Sequence, residues 1–248
     1  MQNNEILTNC YDRKSSERFW DPLNGPVGRD AIVLPLIHGA SGNVLEYGFG
    51  SGSLLFSLAK ERRFHNLIGI DISEVLVKRA MDIIDNTDLE WVKKIKLLTP
   101  QNDTIPQVAD GSMDLIISVA TIEHVLDPYI VLDELHRVAR ENAIMVCSVP
   151  NYAYLKNRFI LLLGRLPKTG TDDPVESWRT CGWDGMHIHT FTKDAFATLL
   201  RSCGWEPVRW TGWGERYKFL FKLRQKLPSL LSGEIMAVCK KIEMRTAK

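Results

Sequence analysis

An acid followed by three glycines at every second position is the part of this sequence best suited to hold a ligand. Glu46 ends an apolar run, Gly48, Gly50 and Gly52 follow, and an apolar helical pattern begins at Ser53. Glycine lets the backbone turn sharply and approach a ligand without a side chain in between. The first amides of the following helix then face whatever lies over the turn. The pattern predicts a ligand site between a strand and a helix.

A second acid, Asp71, ends the next apolar run along the chain. A carboxylate in that place can accept hydrogen bonds from both ribose hydroxyls of an adenosine. Asp71 could instead cap the next helix, but Ser73 is also available for that role. Because the glycine turn and the acid occur together, we favour the ribose interpretation.

Three histidines could take part in proton transfer. His124 follows an apolar run at 113–119, and His187 and His189 precede a helical pattern that begins near residue 193. An imidazole exchanges a proton near neutral pH, so each histidine is a candidate general base. Each could equally tie a loop to the backbone. We expect His189 to be the base, because it follows a long loop that can close over a substrate. His124 is the next candidate, and His187 would orient its neighbour or bind substrate.

Strands and helices alternate regularly through the first half of the chain. Strands are predicted at residues 43–47, 67–71, 94–98, 113–119 and 143–149, with helices at 52–62, 74–86 and 129–140. Such alternation indicates a parallel sheet with right-handed crossovers. The glycine turn, Asp71 and His124 follow the carboxyl ends of three of these strands.

The second half departs from this alternation. Residues 166–185 form a long stretch without a helical or strand pattern, and they include Trp178 and Trp183. A loop of this length inside a compact domain is uncommon and usually functional, so we expect a substrate lid near 150–191. Helices are predicted at 155–163, 193–202 (capped by Thr192) and 215–231, and strands at 205–211 and 234–242.

Composition and charge restrict the functional class. The 248 residues carry a net charge of +1, which gives no general attraction to nucleic acid. The basic helix at 215–231 could lie on an anionic membrane, but packing on the sheet is favoured, so we expect at most weak membrane contact. The five cysteines are scattered without a C-x-x-C pair, which favours reduced thiols and a cytoplasmic location.

The acid and glycine pattern at 46–52 resembles motif I of class I S-adenosylmethionine-dependent methyltransferases. The resemblance implies a doubly wound, Rossmann-like α/β fold with a mostly parallel seven-stranded sheet and an antiparallel strand near the C-terminus, for which 234–242 is the candidate. It implies a methyltransferase domain at 43–248. We expect a helical arm at 1–42, of which the polar residues 1–24 either cover the domain edge or lie over the cofactor. The implied S-adenosylmethionine-binding residues are Glu46, Tyr47, Gly48, Gly50, Gly52, Asp71, Ile72, Asn102, Asp103, Ser118, Val119 and Glu123.

Two narrower resemblances suggest the activity. The run from Pro150-Asn151 through Arg158 to Gly164-Arg165 resembles the methionine-biosynthesis protein W family, whose members are associated with a homoserine acyltransferase. The Glu123-His124 pair resembles small-molecule O-methyltransferases. The ubiquinone-biosynthesis members have an additional upstream acid where this chain has Ala120, so no metal site is expected.

Together these resemblances imply an S-adenosylmethionine-dependent methyltransferase that acts on an oxygen of a small molecule or glycan. The alternative is a non-catalytic S-adenosylmethionine-binding partner of a biosynthetic enzyme. A NAD-dependent dehydrogenase is third. Its fingerprint is G-x-G-x-x-G, whereas here the third glycine comes one residue early and Ser53 takes its place.

Overall fold

Seven strands form one sheet in the structure, a computed structural model that describes residues 8, 9, 11, 12, 21–170, 184, 186–214 and 221–243. The strands are β1 (Gly42–Tyr47), β2 (Phe64–Ile70), β3 (Ile95–Leu98), β4 (Met113–Val119), β5 (Ala139–Pro150), β6 (Trp205–Trp213) and β7 (Glu234–Lys241). Their order across the sheet is β3-β2-β1-β4-β5-β7-β6.

The first five strands are parallel, and β7 is antiparallel to both of its neighbours. This arrangement confirms the predicted doubly wound fold, including the antiparallel strand near the C-terminus. The order reverses at β1 and β4, and ligands of open α/β sheets bind at the carboxyl ends of strands beside such a reversal.

Helices cover both faces of the sheet. They are α1 (Arg29–Leu36), α2 (Ser53–Ala59), α3 (Glu74–Asp85), α4 (Pro128–Val138), α5 (Leu155–Leu162), α6 (Lys193–Ser202), α7 (Phe221–Lys226) and α8 (Pro228–Leu231), with short 3-10 helices at Pro22–Asn24 and Glu90–Lys94. Side-chain oxygens of Ser73, Asp127 and Thr192 accept amide hydrogen bonds at the starts of α3, α4 and α6. These caps satisfy amides that have no partner inside the helix.

The hydrophobic core has two layers, one on each face of the sheet. In β1, Leu45 packs in the layer that contains Trp205, whereas its neighbour Val44 packs in the layer that contains Phe56. Successive strand residues point to opposite faces, so a parallel strand buried on both faces must be apolar almost continuously. The near-continuous apolar runs that predicted β1 and β4 have this cause.

Several predicted boundaries were wrong. Strand β5 begins at Ala139, where α4 ends, and not at residue 143. Of the predicted helix at 215–231, residues 215–220 lie outside the described residues, and the rest forms α7 and α8. The two short helices are separate because Pro228 begins a new helix rather than continuing α7. Within the predicted lid near 150–191, residues 171–183 and 185 also lie outside the described residues.

The basic surface expected on that helix is incomplete. The Arg224 side chain is buried, with 3% of the residue exposed. Its guanidinium donates hydrogen bonds to the carbonyls of Gly214 and Leu231. Arg224 therefore holds the end of β6 against α8 instead of facing solvent. Among the described residues, no helix has the length and apolar character that crossing a bilayer requires.

Candidate functional site

The glycine turn lies between the end of β1 and the start of α2. The Gly48 amide donates to the carbonyl of Ile70 at 2.7 Å, which ties the turn to β2. Gly48 has a φ of 79°, and a Cβ there would lie 2.1 Å from Thr121 Oγ1. A side chain at this position would meet both backbone strain and a steric clash, so the turn requires glycine.

Asp71 lies beside the turn, at the end of β2. Its two carboxylate oxygens accept hydrogen bonds from the amides of Gly50 (2.8 Å) and Ser73 (3.0 Å). Burial raises the pKa of Asp71 to about 6, although these two bonds favour the ionised form. Ser73 caps α3 by accepting from the Leu76 amide. The helix-capping role that Asp71 could have filled therefore belongs to Ser73.

A cavity of about 390 Å³ opens over the turn. The predicted site residues that line it are Glu46, Tyr47, Gly48, Gly50, Asp71, Ile72, Asp103, Val119 and His124. Four acids face this space, namely Asp30, Glu46, Asp71 and Asp103, together with one basic side chain, Arg29. Such a lining favours a ligand with positive charge.

Glu46 is the most enclosed of these acids. The residue is 5% exposed, and its Oε2 has no hydrogen-bond partner among the described residues. Burial raises its pKa well above the ordinary value, and Asp30 and Asp71 raise it further. A buried acceptor without a donor is costly, so a ligand that brings a donor or a cation to this oxygen would be stabilised.

The other predicted cofactor residues do not line the cavity. Gly52 caps the start of α2, and Ser118 is buried in β4. Asn102 lines a smaller adjoining cavity of about 260 Å³, which Asp103 and Thr8 also line. Glu123 is fully buried next to His124.

The three candidate histidines occupy different positions. His124 lines the cavity, and its Nδ1 lies 2.9 Å from the Met186 carbonyl oxygen. The His187 ring lies 4.7 Å from the His124 ring, between centroids. His189 does not line the cavity, and its Nε2 lies 2.9 Å from the Val125 carbonyl oxygen. In this geometry His189 ties its loop to the backbone, and His124 is the histidine that faces the ligand space.

Glu123 connects these loops. Its carbonyl accepts from the amides of Ile188 and His189, so the last residues of the predicted lid are fixed to the loop after β4. Its two carboxylate oxygens have no hydrogen-bond partner among the described residues. Burial, with a smaller contribution from the nearby Glu234, raises the pKa of Glu123 to about 8.

Among the cavity-wall residues that sequence reasoning missed, three come from the chain before β1. Arg29 and Asp30 line the cavity from the start of α1, and Tyr11 lines it from the N-terminal arm. Arg29 pairs with Glu234 of β7 at 3.3 Å. Next to Tyr11, Asp12 accepts from the Ser73 hydroxyl at 2.6 Å and from the Val75 amide at 3.2 Å. The only sequence signal was Tyr11, an apolar exception in a polar arm.

A model of the methyltransferase-domain family matches residues 28–209. The chain belongs to this family. A comparison with curated proteins found no match.

Solved structures show the same fold at low identity. An S-adenosylmethionine-dependent methyltransferase from Aquifex aeolicus is 18% identical with a TM-score of 0.58, and the match covers 90% of this chain and 100% of that one. A possible histamine N-methyltransferase from Thermotoga maritima is 16% identical with a TM-score of 0.57, over 86% of each chain. The [4+2]-cyclase SpnF is 15% identical with a TM-score of 0.58, over 86% of this chain and 80% of that one. Since one of these relatives is a cyclase, the methyltransferase fold alone does not fix the reaction.

Proposed function

We propose that the chain transfers a methyl group from S-adenosylmethionine to an oxygen atom of a small molecule or glycan. The observation that carries this proposal is the cavity over the glycine turn, which four acids line. S-Adenosylmethionine carries a sulfonium, an ammonium and a carboxylate and is positive overall, whereas NAD carries a pyrophosphate and is negative overall. Close carboxylates attract the first and repel the second. This charge difference also argues against the dehydrogenase alternative.

The residues around the turn have chemistry that fits each part of the cofactor. Asp71 can accept hydrogen bonds from ribose hydroxyls, and Glu46 offers an unpaired, buried acceptor to an ammonium. Asn102 and Asp103 follow β3 and are the candidates for the adenine contact. Gly48 and Gly50 leave backbone exposed to the ligand. The remaining assignments, Ser118 and Glu123, would act from behind the cavity wall by fixing β4 and its loop.

Methyl transfer to a hydroxyl oxygen requires that the two reactants are aligned and that the hydroxyl loses its proton. S-Adenosylmethionine supplies an activated methyl group, and holding two reactants in line is worth up to about 7–11 kcal/mol. A hydroxyl acceptor must also lose its proton, for which a positioned base contributes about 10²–10⁴-fold. His124 faces the cavity, so we propose that the acceptor loses its proton beside His124 and His187 and not beside His189.

One observation favours the alternative of a non-catalytic partner protein. Helix α5 and the residues after it leave large apolar side chains exposed, with Leu162 80% and Leu163 73% exposed. This is the segment that resembles the methionine-biosynthesis protein W family. An exposed apolar surface of this kind is suited to contact another protein, such as a biosynthetic enzyme.

The proposal is tested by detecting the methylated product. The protein is incubated with methyl-labelled S-adenosylmethionine and a small-molecule and glycan fraction of cell extract, and mass spectrometry records shifted products and S-adenosylhomocysteine. A methylated product formed in proportion to S-adenosylhomocysteine supports the proposal. Tight cofactor binding without turnover in any fraction would favour the partner role instead. Titration calorimetry that shows binding of NAD but not of S-adenosylmethionine would contradict both.

A further inference from the structure

Three side chains that can bind metal converge beside the cavity. Glu123, His124 and His187 each offer one ligand atom, and these atoms lie within 4.8 Å of one another. Glu123 and His124 come from the loop after β4, whereas His187 comes from the segment fixed against that loop. His187 is 63 residues further along the chain than His124, so the fold creates this group, and no local motif does.

The carboxylate of Glu123 is the second and independent observation. The residue is fully buried, and neither carboxylate oxygen has a hydrogen-bond partner among the described residues. Among the described residues, the basic atom within ion-pair distance is His124 Nε2, at 3.8 Å from Oε1. A buried carboxylate without donors is unfavourable unless a cation accompanies it.

Both imidazoles are already oriented by their other ring nitrogen. His124 Nδ1 lies 2.9 Å from the carbonyl oxygen of Met186, which can only accept, so Nδ1 carries the proton. His187 Nδ1 lies 2.6 Å from Thr169 Oγ1, and the Thr169 hydroxyl hydrogen-bonds to the carboxylate of Asp184. The hydroxyl has one proton to donate, to Asp184, so it accepts from His187 Nδ1–H. In both neutral rings Nε2 is then the nitrogen that can bind a metal.

Such outer partners are typical of metal-bound histidines. A ligating imidazole usually donates its second N–H to a carbonyl or carboxylate, which fixes the tautomer and the ring plane. Two imidazoles and one carboxylate are a ligand set of Zn²⁺, Fe²⁺ and related ions, and they leave coordination positions open. Metal–ligand distances of about 2.0–2.2 Å place ligand atoms roughly 3–3.5 Å apart. Closing the site therefore requires side-chain shifts of about 1 Å.

We propose that Glu123, His124 and His187 bind a divalent transition-metal ion whose open positions hold the acceptor hydroxyl. This departs from the expectation of no metal, which rested on Ala120 in place of an acid. The assignment rests on the proposed function, because the ion would act on the same acceptor. His124 faces the cavity, so an ion bound to it would also meet the ligand space.

A bound ion would make the acceptor hydroxyl easier to deprotonate. The hydroxyl bound to a divalent ion has a lowered pKa and releases its proton to water. The oxygen lone pair then forms a bond to the methyl carbon while the carbon–sulfur bond breaks and its electron pair goes to sulfur. The products are the methyl ether, S-adenosylhomocysteine and one proton. His124 and His187 hold the ion in this step and do not take the proton themselves.

The test uses the full chain without a histidine tag, treated with chelator and then titrated with Co²⁺ alone. Cobalt absorption bands and titration calorimetry report binding, and S-adenosylmethionine binding is titrated separately. We expect one bound Co²⁺ per chain in the wild type. Glu123→Gln and His187→Gln should lose it. Asp184→Asn should weaken it by about 10–100-fold, because it alters only the carboxylate that orients the Thr169 hydroxyl beside His187. His65→Gln, at an exposed histidine of β2, is the matched control and should bind as wild type does.

Two results would overturn the proposal. One is a wild type that binds neither Co²⁺, Zn²⁺ nor Mn²⁺ at millimolar concentration. The other is Co²⁺ binding that survives unchanged in Glu123→Gln, His187→Gln and Asp184→Asn. If a ligand variant does not fold, as judged by circular dichroism, Asp184→Asn decides. Methyl transfer measured with chelator present separates the two proposals. Turnover without metal would refute the metal site but leave the proposed methyltransferase activity standing.

Discussion

The backbone amide of Gly50 donates a 2.8 Å hydrogen bond to Asp71 Oδ2. This bond joins the glycine turn after β1 to the end of β2, the two halves of the predicted nucleoside site. Asp71 is therefore held in place before any ligand arrives. Each carboxylate oxygen can accept a further hydrogen bond, so ribose hydroxyls can be added without displacing Gly50.

Asp71→Asn should weaken S-adenosylmethionine binding strongly. The amide cannot accept from both ribose hydroxyls, and hydrogen bonds to a charged group are worth about 1.5–3 kcal/mol each. Loss of one such bond raises the dissociation constant at least about tenfold. Titration calorimetry measures the change, with Asp88→Asn at an exposed acid as the control. Equal affinity in the two variants would contradict the ribose role.

Cofactor affinity should rise between pH 5 and pH 7. Burial raises the pKa of Asp71 to about 6, above its ordinary value of 3.8. Below pH 6 the carboxyl is protonated and accepts fewer hydrogen bonds, so binding weakens by up to about tenfold per pH unit. Because the raised pKa means that the folded state favours the proton, this group destabilises the ligand-free protein as pH rises from 4 through 6. Calorimetry between pH 5 and pH 7 should show that S-adenosylmethionine affinity rises with pH. The same titrations of Asp71→Asn should show a smaller rise.

Gly48→Ala and Gly50→Ala should differ in stability. Both glycines have positive φ, at 79° and 55°, but a Cβ at Gly48 would lie 2.1 Å from Thr121 Oγ1, whereas a Cβ at Gly50 would meet open space. We expect Gly50→Ala to cost about 1–2 kcal/mol through backbone strain alone. Gly48→Ala should cost about 2–5 kcal/mol, because overpacking is added to the strain. Urea denaturation gives both values, and equal losses would show that the turn relaxes away from Thr121.

Substitutions of His124 and His189 should distinguish a role in catalysis from a role in holding the loop. His124→Ala should lower turnover by about 10²-fold or more, because this side chain faces the cavity. His189→Ala should mainly lower the free energy of unfolding, by about 0.5–1.5 kcal/mol, as the bond to the Val125 carbonyl is lost. Product formation and denaturation are measured for both variants. If His189→Ala instead loses turnover at unchanged stability, the base expected from the sequence is the right one.

The sequence predicts those parts of the molecule that depend on neighbouring residues. The glycine turn and the strand ending at Asp71 are local patterns, since turn geometry and burial on both faces act within a few residues. Arg29 and Glu234 could not be predicted to meet, because they are 205 residues apart and come together only through sheet order. The burial of Arg224 was missed because its cation suggested an exposed face, although Pro228 was a visible signal that the helix ends there.

The position of β7 between β5 and β6 has a consequence for how the chain is made on a ribosome. In the part of the chain that the structure describes, strand β6 pairs only with β7, which is synthesised later. Until residues 234–241 emerge, β6 and one edge of β5 present unpaired backbone to the cell, and Ser148 lacks the Glu234 carboxylate that its hydroxyl contacts at 2.5 Å. Exposed strand edges of this kind favour aggregation and chaperone binding. We therefore expect a nascent chain stalled before residue 234 to remain protease-sensitive in its C-terminal half, and completion of β7 to remove that sensitivity.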